Sequence, residues 1–231
     1  MLEENFLQAL TEEIDIIFLC NPNNPTGLLV EKPLLEKILK RCQELNILMA
    51  VDECFLDFVP SPEKYTLKEY LETYDNLFLL KAFTKRYAMA GVRLGYGLCG
   101  NKGLLEKIEG VCQPWNVSSM AQAAGLAALQ EREYVEKGRQ VTFQELAYLK
   151  EELAALGYPV YPSQANYVFF TGPADLYEKL EQKKILIRDC SNYTGLSKGY
   201  YRVAVKKHEE NQQLVRALKE IDRTKVENVI L

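Results

Sequence analysis

The chain has one histidine, no long run of a single charge sign, and no apolar stretch of eighteen residues. Each absence closes off a class of function. His208 stands among Lys206, Lys207, Glu209 and Glu210, on what reads as the first turn of an exposed helix. One such histidine cannot furnish a histidine-rich metal site or a Ser-His-Asp triad, so no metal is expected. The 28 basic and 32 acidic residues leave a formal charge of -4, with no field suited to gripping a nucleic-acid backbone. The opening residues Met1-Leu2-Glu3-Glu4-Asn5-Phe6 put acid where a signal peptide needs a basic head, and nothing later is long enough to cross a bilayer. The expectation is a cytoplasmic chain with neither nucleic acid nor membrane as partner. Six cysteines (Cys20, Cys42, Cys54, Cys99, Cys112 and Cys190) lack any paired short spacing. They fit neither a zinc ribbon nor a disulfide framework and are expected to be buried or half-buried free thiols.

What is present is enough apolar sequence for a core. At 231 residues and 48% hydrophobic, the chain can fill one large domain or a domain and a half. Residues 14–20 (IDIIFLC) form a nearly continuous apolar run ending at Asn and Pro, as a strand buried on both faces of a parallel sheet would. A second run covers 47–52 (ILMAVD). Between them Pro33 opens a helix reaching residue 44, with Leu34, Leu35, Ile38, Leu39 and Cys42 at helical spacing. Strand, helix, strand is a right-handed crossover unit. Runs at 77–80 and 94–99 add two strands, and together the four imply a mostly parallel sheet. Helices are expected at 102–112, 118–130 and 131–156, the last ending at Gly157. Beyond it the pattern gives strands at 159–161, 167–170, 185–188 and 200–205, with helices at 173–182 and 207–222, which amounts to a modest α+β unit.

Four places carry chemistry. Asn21-Pro22-Asn23-Asn24-Pro25-Thr26-Gly27 directly follows a strand, at the carboxyl end where open α/β sheets bind ligands. A single Asn-Pro pair would read as a plain turn. Asp52 ends the second strand; a carboxylate there is either a loop or capping residue or needs a fixed cationic partner. Lys85 would by default be a solvated surface charge, but it precedes Arg93 by eight residues, just ahead of Leu94-Gly95-Tyr96. Arg188 and Arg202 each sit at or within an apolar strand, and a buried arginine needs an anion.

Taken together these segments resemble the class I and II aminotransferase family, nearly the whole chain long. The NPNNPTG run matches its NPxNPTG signature. The resemblance implies the α/β fold of type I pyridoxal-phosphate-dependent transferases. It implies residues 1–130 as the C-terminal part of the large cofactor-binding domain, 131–157 as a connecting helix and 158–231 as a small C-terminal α+β domain. It also implies pyridoxal 5'-phosphate as cofactor and a homodimer. Carried over to this sequence, Lys85 is the Schiff-base lysine and a general base or acid, and Asp52 the partner of the pyridinium nitrogen. Asn24 donates to the phenolic oxygen. Thr84 and Arg93 hold the phosphate, for which a planar guanidinium is well shaped. Arg202 takes the substrate α-carboxylate, while for Arg188 substrate binding and an ordinary salt bridge stay open. Glu53 reads as structural and Lys81 as a strand-end residue.

Within the family the chain resembles most the branch holding histidinol-phosphate aminotransferase and threonine-phosphate decarboxylase. Phe55 stands where the aminotransferases usually have tyrosine and the decarboxylase has phenylalanine. Segments 84–88 (TKRYA), 113–118 (QPWNVS) and 185–202 also resemble the decarboxylase. The implied substrate is a small phosphorylated amino acid or amine. The leading expectation is decarboxylation of L-threonine O-3-phosphate to aminopropanol phosphate, for cobalamin assembly. Transamination of histidinol phosphate is the alternative, and a non-catalytic fragment or split-protein partner is the third. Two departures stand out. Ala82 occupies a position where the family usually has serine or threonine. The family also places about a hundred or more residues ahead of the first strand seen here, a substantial part of a domain. The chain is therefore expected to begin partway through the large domain.

Overall fold

The structure is a computed structural model that describes residues 5–229, with side chains to residue 222. The chain divides into two compact units, Met1–Asn23 with Leu28–Lys137 and Asn24–Gly27 with Gly138–Leu231.

In the first unit a short helix α1 (Asn5–Gln8) precedes β1 (Ile16–Cys20), α2 (Lys32–Glu44) and β2 (Leu48–Asp52). Three 3-10 turns follow, then β3 (Leu77–Ala82), the four-residue α3 (Phe83–Arg86), β4 (Gly95–Cys99), α4 (Lys102–Val111) and α5 (Ser119–Ala128). Pro33 fits the first turn of α2, where its missing N–H would have no partner anyway. Leu35, Ile38, Leu39 and Cys42 then fall on one buried stripe. That stripe packs on Leu19, Met49, Val51, Leu77 and Leu79, alternate residues of three adjacent strands. Asn101 and Ser118 cap α4 and α5, accepting from the backbone N–H of Leu104 at 3.0 Å and of Ala121 at 3.1 Å.

The strand order is β1-β2-β3-β4. β1, β2 and β3 are parallel, with Cys20 opposite Asp52 and Asp52 opposite Leu80. β4 runs antiparallel to β3, with Ala82 opposite Gly95. A parallel return needs a crossover of a dozen or more residues, usually helical, and the connection from β3 to β4 is spent on α3 and turns. The carboxyl ends of β1, β2 and β3 and the amino end of β4 therefore lie at one end of the sheet.

The expectation that residues 14–20 are buried on both faces does not hold. Ile17 and Leu19 join the core, but Ile16 is 41% and Phe18 71% exposed on the opposite face. The strand is apolar on both sides while only the α2 side is covered among the described residues.

The chain passes into the second unit within α6 (Arg132–Ala155), which is followed by β5 (Tyr167–Thr171), α7 (Leu176–Gln182), β6 (Arg188–Asp189), β7 (Tyr200–Ala204) and α8 (His208–Val229). Gly157, at φ +81°, turns the chain after α6. The antiparallel sheet has order β5-β7-β6. Leu149 and Leu153 of α6 and Leu214, Leu218 and Ile221 of α8 pack on Val168, Phe170, Tyr201 and Val203. Each fully buried aliphatic side chain contributes about 2 kcal/mol.

Two expected strands are corrected here. At 159–161 only the bridge between Val160 and Phe170 forms, because Pro159 and Pro162 lack donors on either side. The strand expected at 185–188 begins only at Arg188. Lys183 N–H and Ile185 N–H both return to the carbonyl of Leu180 and Lys184 takes φ +60°, so these residues close α7 and leave Leu186 73% exposed.

All six cysteines are free thiols. Cys42 and Cys190 are buried, but Cys112 is exposed at the end of α4, against the expectation for it. Among the described residues no helix is long and apolar enough to cross a membrane, and no group of three or more His, Cys, Asp and Glu is placed to hold a metal ion.

Candidate active site

The expected site residues fall in both units. In the first, Asp52 is the last residue of β2 and half-buried; its Oδ1 accepts from the backbone N–H of Cys54 at 2.9 Å. The same carboxylate, after burial itself, pushes the Cys54 thiol up to about 12. Lys85 lies on α3, just beyond β3, with its Nζ 5.4 Å from the centre of the Phe55 ring. Lys85 pairs with no carboxylate among the described residues and is exposed. Thr84, beside it on α3, is half-buried. Arg93 sits in the turn into β4 at φ +56°, exposed, with Nη1 donating to the carbonyl of Ala90 at 3.2 Å.

Lys81 is the other basic residue near this end of β3, and its amine is committed. Its Nζ lies 2.8 Å from Oε2 of Glu53, which is fully buried. The carboxylate of Glu53 also accepts from Oγ1 of Thr66 at 2.9 Å and from the N–H of Leu67 at 3.2 Å. Of the two lysines, Lys85 is the one with an available nitrogen.

The loop after β1 is built by Asn21 and Gly27. Asn21 is fully buried; its Oδ1 accepts from Val30 N–H at 2.9 Å and its Nδ2 donates to the carbonyl of Tyr65 at 3.3 Å. Gly27, in the second unit, takes φ +72° against Ser163, and its carbonyl accepts from Gln164 N–H at 2.8 Å.

In that second unit Asn24 and Arg202 are brought together, Nη1 of Arg202 donating to Oδ1 of Asn24. The hydroxyl of Tyr193 donates to the same oxygen at 3.4 Å. With Oδ1 engaged, Nδ2 is the atom with which Asn24 would donate to a ligand. Arg188, exposed rather than buried as expected, stands opposite Arg202 in the β6–β7 register, donates to Asn192 Oδ1 at 2.9 Å, and lies 5.8 Å from the Tyr193 ring. Arg202 lies 5.1 Å from the ring of Tyr167. Tyr193, Asn192 and Tyr167 are the residues that site reasoning passed over. The stretch holding Asn192 and Tyr193 carried the only signal, as part of a segment-wide resemblance.

Residues 3–218 match the model of the family described as aminotransferase class I and II. The chain belongs to that family. Its fold is the type I fold of pyridoxal-phosphate-dependent transferases, present in part. The threonine-phosphate decarboxylase of Salmonella typhimurium is 38% identical over 224 residues, 95% of this chain and 61% of that protein. The histidinol-phosphate aminotransferase of Methanosphaera stadtmanae is 31% identical over 225 residues, 94% of this chain and 59% of that protein. The crystal structure of the histidinol-phosphate aminotransferase from Clostridium acetobutylicum matches at a TM-score of 0.87 and 32% identity, covering 92% of this chain and 65% of that one. The chain thus spans less than two thirds of the length of these family members.

The donor set fits pyridoxal phosphate. An amine without a carboxylate partner beside an aromatic ring suits an aldehyde, a strand-end carboxylate suits a pyridinium nitrogen, and Thr84 and Arg93 suit a phosphate.

Proposed function

We propose that this chain carries the lysine, carboxylate and arginines of a pyridoxal-phosphate enzyme acting on a small phosphorylated amino acid. We propose further that the reaction is decarboxylation of L-threonine O-3-phosphate to aminopropanol phosphate, a step of cobalamin assembly. The observation that carries the reading is Lys85, an amine free of carboxylates and 5.4 Å from the Phe55 ring, at the sheet end where β2 delivers Asp52. On this reading the first unit is part of the large cofactor-binding domain and the second the small domain.

What the cofactor supplies when bound is an electron sink for a bond broken at the substrate α-carbon. Lys85 Nζ would hold its aldehyde and later carry the proton at that carbon. The carboxylate of Asp52 would keep the ring nitrogen protonated, and Nδ2 of Asn24 would donate to the phenolic oxygen. Thr84 and Arg93 would bind the cofactor phosphate, Arg93 exchanging the carbonyl of Ala90 for it. Arg202 would take the substrate carboxylate, with Arg188 beside it on the neighbouring strand for a second anionic group. The resemblance also implies a homodimer in the cytoplasm, which sedimentation of the purified protein tests in its first half.

Phe55 in place of a tyrosine, together with the 38% identity to a decarboxylase, supports decarboxylation. The TM-score of 0.87 to a histidinol-phosphate aminotransferase supports the second reading, transamination. Carbon dioxide release from threonine phosphate, set against amino transfer from histidinol phosphate to 2-oxoglutarate, separates the two. Transfer without carbon dioxide would replace the first reading by the second.

A further inference from the structure

Two ion pairs bracket the two chemical groups of the first unit. Glu53 follows Asp52, and Lys81 stands four residues before Lys85; they meet at 2.8 Å, with Glu53 fully buried and the Lys81 side chain 15% exposed. Asp57 lies two residues beyond Phe55 and Arg86 directly after Lys85; they also meet at 2.8 Å. Between these bridges Nζ of Lys85 lies over the Phe55 ring.

The ladder between β2 and β3 stops short of the lysine. Register between β2 and β3 ends at Asp52 opposite Leu80, with one further bond from Glu53 N–H to the Leu80 carbonyl at 3.0 Å. Beyond it β4 secures β3 on its other edge, as far as the Phe83 N–H to the Leu94 carbonyl at 3.1 Å, but on the Asp52 side Lys85 has only a helix of four residues, a length that is not self-supporting. A buried ion pair, for its part, is a poor device for stability, because desolvation of the two charges offsets their attraction. What such a pair does provide is a fixed separation. Here that separation runs between the strand end bearing Asp52 and the one feeding the lysine helix.

We propose that the Glu53–Lys81 pair is a positioning device that, with Asp57–Arg86 outside it, holds the Lys85 segment against the Asp52 strand end. Neither Glu53 nor Lys81 touches the reacting atoms; both act through the segment they fix. The inference rests on Lys85 being the cofactor amine, as read above.

The test compares the parent with Glu53→Gln/Lys81→Met, which removes both charges at near-constant shape, and with Lys81→Arg, which keeps the pair. The first readout is amide hydrogen exchange in the protein without cofactor. The second is the affinity for added pyridoxal phosphate, followed by the Lys85-dependent absorbance band and by the pH at which that band changes. The expected result for the double variant is exchange at residues 83–87 at least tenfold faster, exchange in β5 and β7 unaltered, and cofactor affinity reduced at least tenfold with a displaced pH midpoint. Lys81→Arg should return both readouts to within threefold of the parent. If the double variant fails to fold, Glu53→Gln/Lys81→Gln, which removes both charges but keeps a neutral hydrogen-bonding pair, is compared with Lys81→Arg instead.

Parent-like exchange at 83–87 would overturn the clamp whatever the cofactor does. Parent-like affinity and pH midpoint despite faster exchange would also overturn it, since the pair would then be merely structural. Lack of a Lys85-dependent band in the parent overturns the cofactor reading instead, while the exchange result still decides whether the pair holds the segment.

Discussion

Arg188 and Arg202 face each other as register partners across β6 and β7, and among the described residues neither meets a carboxylate. Arg188 is held by Asn192 and Arg202 by Asn24, both neutral amides. Like charges directly opposite on adjacent strands cost about 0.5 kcal/mol. Two guanidinium groups set opposite each other and held only by neutral amides suit an anion. Arg188→Ala should therefore raise stability by about that amount in dilute buffer, and the gain should shrink in high salt as the repulsion is screened. Inorganic phosphate should stabilise the parent more than the variant, because it binds the folded state alone. Urea melts at two salt concentrations, with and without phosphate, check both points.

Gly27 fixes the loop that presents Asn24. Its φ is +72°, and a methyl group there would meet Ser163 Oγ at 1.8 Å and Ser163 Cβ at 2.7 Å. Ser163 cannot easily yield, since it is buried and its hydroxyl donates to the Tyr167 carbonyl at 2.5 Å. Gly27→Ala should cost about 2–4 kcal/mol in thermal or denaturant melts. Adding Ser163→Gly should recover the steric part but not the backbone part.

Much of this was legible in the chain. The apolar runs ending at Cys20 and Asp52, Pro33 with its stripe of Leu35, Ile38, Leu39 and Cys42, and the heptapeptide from Asn21 to Gly27 each carry a local signal, and each lies in the expected element. Tertiary choices were not legible. A period of two cannot tell which side of β1 will be covered, so Phe18 gave no warning of its exposure. The helix bearing Lys85 is too short to leave a periodic trace. The pairing of Lys81 with Glu53, and of Tyr193 with Asn24 across 169 positions, depends on where distant segments meet.

Buried Cys42 and half-buried Cys54 give the protein an alkaline limit. Burial pushes Cys42 up to about 11, and burial followed by the nearby Asp52 carboxylate pushes Cys54 up to about 12, from an ordinary 9.0. In the folded protein both hold their protons where the unfolded chain has lost them. The stability they contribute is complete below about pH 9 and is lost as pH rises toward 11 and 12. Melting temperature should fall across that window, and less steeply in Cys54→Ala. At pH 8 a thiol reagent should modify exposed Cys112 well before Cys42 or Cys54, with peptide mapping as the readout.

Covalent trapping tests the role of Lys85 most directly. Pyridoxal phosphate is added to the purified protein, the mixture is reduced with borohydride, and the modified lysine is located by mass spectrometry. The label should fall on Lys85 and not on Lys81, whose amine is engaged by Glu53. The accompanying absorbance band should vanish in Lys85→Ala. Label spread over surface lysines, or a band that survives the substitution, would contradict that role.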